Sequence, residues 1–159
     1  QFEYLNRQKM ASQDAFQEQM ADFVRQLPEG CVYAVEVRNG QYMNPAYFQF
    51  LNDQALIPVL LQGYWMPPLW EVYAQQRDLI RQQRTVVMRL LGPDRQKIEA
   101  QTGKRWDQLA APKDQELDQI VQVAEDLLQA GADVYINVNN HYEGSAPLTI
   151  DRIRERLRT

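Results

Sequence analysis

Val32-Tyr33-Ala34-Val35-Glu36-Val37, followed by Arg38-Asn39-Gly40, is a short β-branched and aromatic run that ends on a turn signal. It reads as a buried strand. Ahead of it, Phe16, Met20, Phe23, Val24 and Leu27 recur at helical spacing behind Ser12, a good N-cap residue, and Pro28 and Gly30 stop the helix. After it the cycle repeats. Asn44 and Pro45 start a helix to about Leu51, and residues 57–61 form a second strand with Pro58 near its beginning, where a missing donor does least harm. Pro67 and Pro68 open a helix to about Gln82, residues 85–91 form a third strand ending at Gly92, and a short helix runs to Thr102 before Gly103. Beyond an irregular loop at Trp106, the residues Leu117, Ile120, Val121, Ala124, Leu127 and Leu128 make the cleanest apolar stripe, bounded by Asp114 and Gly131. Residues 133–138 are the fourth strand, and a last helix begins near Thr149.

Strands that alternate with helices pair in parallel, because each must cross over through a helix to lie alongside the last. The class is therefore α/β, with four parallel strands and one domain over residues 1–159. Both an open doubly wound sheet and part of a closed barrel fit this order. A closed barrel normally takes eight strands and about 250 residues, so four strands amount to half of one.

Composition narrows the function classes. The chain is 45% hydrophobic and 24% charged, which argues for a packed core rather than disorder. Its formal net charge is -4, which argues against duplex nucleic acid and anionic lipid as partners of the whole surface. No apolar run is long enough to span a bilayer, so no membrane partner is expected. The single cysteine, Cys31, precedes its strand and supplies neither a disulfide nor a thiolate metal set, and the expected location is cytoplasmic.

Side chains along a strand alternate between its faces. Tyr33, Val35 and Val37 share one face of the first strand, and Ala34, Glu36 and Arg38 the other. In the fourth, Val134, Ile136 and Val138 oppose Tyr135, Asn137 and Asn139; in the third, Arg89 opposes Val86, Met88 and Leu90; in the second, Gln62 is set opposite Ile57, Val59 and Leu61. If the apolar faces pack on helices, then Glu36, Arg38, Gln62, Arg89, Asn137 and Asn139 converge at the C-terminal strand ends, where α/β folds carry their sites. The plainer alternative is a structural ion pair between Glu36 and an arginine, with the asparagines satisfying one another.

Three stretches carry a family likeness. Asn139-Asn140-His141-Tyr142-Glu143-Gly144-Ser145-Ala146-Pro147 resembles the C-terminal signature of the YecE-like family, called domain of unknown function 72. Glu36-Val37-Arg38 is similar to its Glu-x-Arg strand end, and Arg89-Leu90-Leu91-Gly92 to its Arg-x-x-Gly strand end. Asn39 and Leu91 stand where many relatives carry histidine. The resemblance implies the C-terminal half of a TIM-like eight-stranded β/α barrel, with Gln1-Phe2 as the tail of an upstream strand and the N-terminal half without a counterpart in this sequence. Half a barrel leaves parallel strand edges, to be covered by the missing N-terminal half or by a second copy in a homo-oligomer. The family brings no settled activity.

Read for chemistry, His141 is the only histidine and, with Glu36 as its partner base, is the candidate proton carrier. A loop histidine bonded to nearby backbone is the ordinary alternative. Arg38 and Arg89 suit bidentate contact with phosphate or carboxylate, Asn139 and Asn140 suit hydroxyls or an oxyanion, and Gln62 joins them on the same face. Backbone donors at the start of the last helix would add to anion binding. Tyr64 and Trp65 form an aromatic rim, whereas Trp70 and Tyr73 fit a helix stripe with Leu69 and Val72. The one metal class that His141, Glu143 and Glu36 suit is a divalent, oxygen-favouring cation. The four arginines at positions 152, 154, 156 and 158 read as the solvated side of the last helix. The leading expectation is an acid-base enzyme, a hydrolase, lyase or isomerase, acting on a small polar or anionic molecule. The alternative is a non-catalytic module that holds a nucleotide, nucleic acid or sugar in the same pocket.

Overall fold

The computed structural model describes residues 1–63, 65–92 and 95–158. Helix α1 (Gln13–Val24) precedes β1 (Ala34–Val35), and α2 (Pro45–Asp53) leads to β2 (Ile57–Gly63). Then come α3 (Leu69–Ile80), β3 (Thr85–Gly92), α4 (Arg95–Thr102), α5 (Asp114–Gln129), β4 (Asp133–Val138) and α6 (Ala146–Arg156). The local signals act as the residue types dictate. Ser12 Oγ accepts the Ala15 N–H at 3.1 Å and Asn44 Oδ1 the Tyr47 N–H at 3.2 Å, each satisfying a donor that a helix start leaves open. Pro147 sits in the first turn of α6, so that helix starts at Ala146, three residues before the expected Thr149.

All pairings are parallel and the strand order is β1-β2-β3-β4. Among the described residues the order is sequential, with no point at which the winding reverses. β1 has only Ala34 and Val35 in ladder geometry, shorter than residues 32–37 promise, because Val32 stands out in solvent. Past it an isolated parallel bridge joins Val37 to Phe2, and the Phe2 N–H donates to Glu36 O at 2.8 Å. The segment ahead of α1 therefore lies parallel to the chain just past β1 at Phe2.

Register decides which side chains share a face. Val59 pairs with Val87 and Tyr135 in one row, and Leu61 with Arg89 and Asn137 in the next. Leu60, Met88 and Ile136 form the alternate row on the opposite face. Val86, Met88 and Leu90 are fully buried in one cluster with Leu117, Ile120 and Leu127 of α5 and Leu69, Val72 and Ile80 of α3, so this is the face the helices cover. The assignment for β2 needs correction. Gln62 shares the helix-covered face with Leu60, while Val59 and Leu61 share the face of Arg89. β2 is apolar on both sides, as strands buried on both faces are, so its one polar residue was a poor guide to orientation.

The uncovered face opens toward β4. Tyr135 is 58% exposed and Asn137 is exposed, whereas Leu61 in the middle of the sheet is buried. β4 ends the sheet with no strand on its far side among the described residues. Among those residues no helix is long and apolar enough to cross a membrane.

Candidate functional site

Glu36 leaves β1 on the face that the helices do not cover, and its side chain is only 5% exposed. A carboxylate in such a position needs compensation. Arg89 NH1 donates to Glu36 Oε2 at 2.6 Å, and Arg38 Nε donates to Oε1 at 3.4 Å. The Glu-x-Arg and Arg-x-x-Gly strand ends are thus one cluster. Two further groups join it from the N-terminal segment: Gln1 Oε1 accepts from Arg89 at 2.8 Å and Glu3 Oε2 from Arg38 NH1 at 2.6 Å. Residues that flank Phe2 must point away from it. Phe2 packs edge-on against Phe16, with ring centroids 5.3 Å apart, and this turns Gln1 and Glu3 toward the arginines.

Asn39 fixes that segment in place. It is fully buried, its Oδ1 accepts the Leu5 N–H at 2.9 Å, and its Nδ2 donates to Leu5 O at 2.8 Å. The side chain imitates a backbone pairing and holds residues 3–5 over the end of β1. Beside it an open cavity of about 830 Å³ is lined by Tyr4, Arg38, Gln41, Trp65, Met66 and Pro67, among others. Tyr64 lies outside the described residues.

The strand ends crowd together at glycines. A Cβ on Gly63 would lie 2.6 Å from Gly92 O, and one on Gly92 would lie 2.2 Å from His141 O. Gly92 also has φ +83°, a conformation that favours glycine. The glycine of Arg-x-x-Gly therefore allows the β3 end to touch the turn that begins at Asn139.

That turn uses its polar groups on itself. Asn139 Oδ1 accepts the His141 N–H at 2.9 Å, and Asn140 Oδ1 accepts the Ala146 N–H at 2.8 Å. Pro147 has no N–H and the Thr149 N–H returns to Ser145 O, so the start of α6 is largely consumed by its own loop rather than offering donors to an anion. His141 Nε2 lies 3.4 Å from Glu99 Oε1 on α4, and its ring meets Trp106 edge-on at 5.1 Å. Its charged neighbour is Glu99, not Glu36, whose two oxygens face arginines. His141 borders a separate small cavity of about 120 Å³ with Lys97, Gln101 and Lys113.

Glu143 corrects the metal reading. It is completely buried; Oε1 accepts the Lys113 N–H at 2.6 Å, Oε2 accepts the Thr149 hydroxyl at 2.8 Å, and Arg152 closes on Oε1. Its carboxylate ties the start of α5 to α6. Glu36, His141 and Glu143 each have a different set of partners, and among the described residues no group of three or more histidine, cysteine, aspartate or glutamate side chains is placed to hold a metal ion. The last helix is likewise less solvated than its arginines suggest. Arg152 and Arg156 both bond to Asp114, and Arg156 Nε reaches Asp118 at 2.8 Å.

Gln62, turned to the helix side, accepts the Leu69 N–H at 3.0 Å and donates to Glu116 at 3.0 Å. Glu116 also accepts from Lys113 at 2.8 Å and from the Tyr142 hydroxyl at 3.1 Å. Burial and the neighbouring Glu116 push the Tyr142 hydroxyl well above the ordinary tyrosine range. This network packs the helices and leaves Gln62 no part in the cluster. Trp65, by contrast, stands on the cavity rim at 90% exposure, while Tyr73 and Val72 are buried in the core as their helical spacing requires. Cys31 is exposed.

The sequence matches the family described as protein of unknown function DUF72 over residues 7–159. The chain belongs to the DUF72 family. Two crystal structures of DUF72 proteins resemble it in fold. The one from Thermotoga maritima has TM-score 0.66 and 19% identity, over 93% of this chain and 53% of its own. The one from Enterococcus faecalis has TM-score 0.65 and 14% identity, over 94% of this chain and 55% of its own. The chain thus spans about half the length of these DUF72 proteins. No curated protein matches it.

Proposed function

We propose that this DUF72 chain binds a small anionic molecule at the C-terminal ends of β1 and β3, with Arg38 and Arg89 as the anion-binding groups. The observation that carries this reading is the buried carboxylate of Glu36 shared between the two guanidinium groups, at 2.6 Å from Arg89 and 3.4 Å from Arg38. Glu36 orients both forks and keeps them at the strand ends, where Arg38 lines an open cavity. The Glu3 carboxylate on Arg38 is itself an example of the contact that a ligand carboxylate or phosphate would make.

A second reading is catalysis. Glu36 is the one carboxylate buried within this cluster, and a ligand drawing Arg89 away would leave it as a base. His141, engaged with Glu99, has no part in that step. Calorimetric titration with inorganic phosphate tests the anion site, and turnover of a phosphate monoester separates the readings. Arg89→Ala is expected to abolish binding and Glu36→Gln to retain it; an enzyme would lose turnover with Glu36→Gln while still binding. Equal phosphate affinity in all three proteins would refute both.

We infer also that the sheet is an arc of a closed β/α barrel. Its sequential strand order and its uncovered face bearing Glu36, Arg89 and Asn137 support this. That face and the edge of β4 are then surfaces for more protein, either an upstream half or a second copy of the chain.

A further inference from the structure

We propose that the cavity beside Arg38 takes a flat aryl ring carrying an anionic group. The ring would sit against Trp65 and Tyr4, and the anion would replace the Glu3 carboxylate on Arg38. The inference rests on the anion-binding reading above and adds the class of molecule.

Single exposed aromatic side chains are ordinary on a protein surface, but a cluster of them at one opening is not. Here Trp65 is 90% exposed and Tyr4 is 55% exposed, they come from segments far apart in the chain, and both line the same cavity of about 830 Å³. Met66 and Pro67 extend its apolar wall. A sugar would need several amides and carboxylates to meet its hydroxyls. Among the described residues, Arg38, Gln41 and the Tyr4 hydroxyl are the polar side chains on this lining, a set that suits one charge. Indole and phenol faces recognise planar rings by stacking, whatever the pattern of ring substituents.

The anion already has a stand-in. Glu3 Oε2 lies 2.6 Å from Arg38 NH1, and the Glu3 side chain is 68% exposed. An ion pair that open to water is weak, so a ligand anion supported by ring stacking displaces it readily. Asn39 holds Leu5 through two hydrogen bonds, which keeps Tyr4 at the cavity when the Glu3 side chain swings away.

The test compares phenyl phosphate with methyl phosphate, titrated calorimetrically against the protein and against its Trp65→Ala and Glu3→Gln variants. Neither exposed side chain supports the core, so both variants fold. Phenyl phosphate is expected to bind about tenfold more tightly than methyl phosphate, the size of one stacking contact. Trp65→Ala removes that advantage without changing methyl phosphate affinity, and Glu3→Gln tightens both ligands severalfold. If the two esters bind alike, or Trp65→Ala changes nothing, the ring assignment is overturned while anion binding stands. If neither ester binds, both are overturned.

Discussion

Glu36 and Arg89 lie fifty-three residues apart in the chain and meet with 2.6 Å between Oε2 and NH1. Arg89 lies level with Leu61, across β2 from β1, and Glu36 comes off the end of β1 on the same face. The pair unites two strand ends that sequence spacing alone keeps apart.

Because Glu36 is buried and its partner is charged, the two ends of this pair are unequal under mutation. Arg89→Ala leaves the carboxylate with only the longer contact to Arg38 and is expected to destabilise the fold by about 2–3 kcal/mol. Glu36→Gln leaves Arg89, which is one-third exposed, able to reach water, and is expected to cost about 1 kcal/mol or less. Urea unfolding of both variants checks the order; a larger loss for Glu36→Gln would contradict it.

Glycines of similar backbone conformation should tolerate alanine very differently. Gly92 has φ +83° and faces His141 O at 2.2 Å from an added Cβ, whereas Gly30 has φ +79° with nothing within 4 Å. Gly30→Ala is expected to cost about 1 kcal/mol, from conformation alone. Gly92→Ala must also push the β3 end off the turn at Asn139 and is expected to cost at least about 3 kcal/mol. Thermal melts of the pair would show it.

Acid sensitivity has an identifiable source between α3 and α5. Asp126 accepts two bonds from Arg77, at 2.9 and 2.6 Å, and one from the Tyr73 hydroxyl. Arg77, then Tyr73, hold its carboxyl down to about 2. A carboxyl whose pKa is lower folded than unfolded stabilises the fold above its unfolded value, and that contribution disappears as pH falls through the folded value. Stability measured from pH 5 to pH 2 should therefore fall more steeply for the wild type than for Asp126→Asn, with the difference concentrated between about pH 4 and 2. Parallel curves would exclude this source.

The uncovered face gives an expectation about mass. With Tyr135 58% exposed at the edge strand, the 18.6 kDa chain on its own is expected to self-associate at micromolar concentration. Light scattering at a mass well above that of one chain would agree; a monomer at all concentrations would not.

Much of the fold was legible in the sequence, and the reasons are local. β4 alternates cleanly, Ser12 and Asn44 cap their helices as their side chains allow, and α5 buries Leu117, Ile120, Val121, Ala124 and Leu127 of its stripe, although Leu128 turns out to solvent. β2 misled because it is apolar on both faces, so nothing in Ile57-Pro58-Val59-Leu60-Leu61 states its orientation. Glu36, Arg38 and Arg89 were legible as a cluster because alternation sets them on one side. Gln1, Glu3 and Tyr4 were not recognised, although the strand-like reading of Phe2 contains the signal: neighbours of an inward residue face the other way. Glu143 and His141 resembled ligands because a carboxylate and an imidazole in a loop look alike whether free or engaged. Their engagement, with Lys113, Thr149 and Arg152 for one and with Glu99 and Trp106 for the other, is made by tertiary contacts.

Anion binding at the strand ends is tested most directly by crystallography with a heavy oxyanion. Crystals soaked in selenate should show an anomalous peak within hydrogen-bonding distance of Arg38 and Arg89, with Glu3 displaced, and Arg89→Ala crystals should lack it. Selenate found only elsewhere on the surface, with the Glu3 and Glu36 pairs intact at concentrations that saturate other sites, would contradict the proposal.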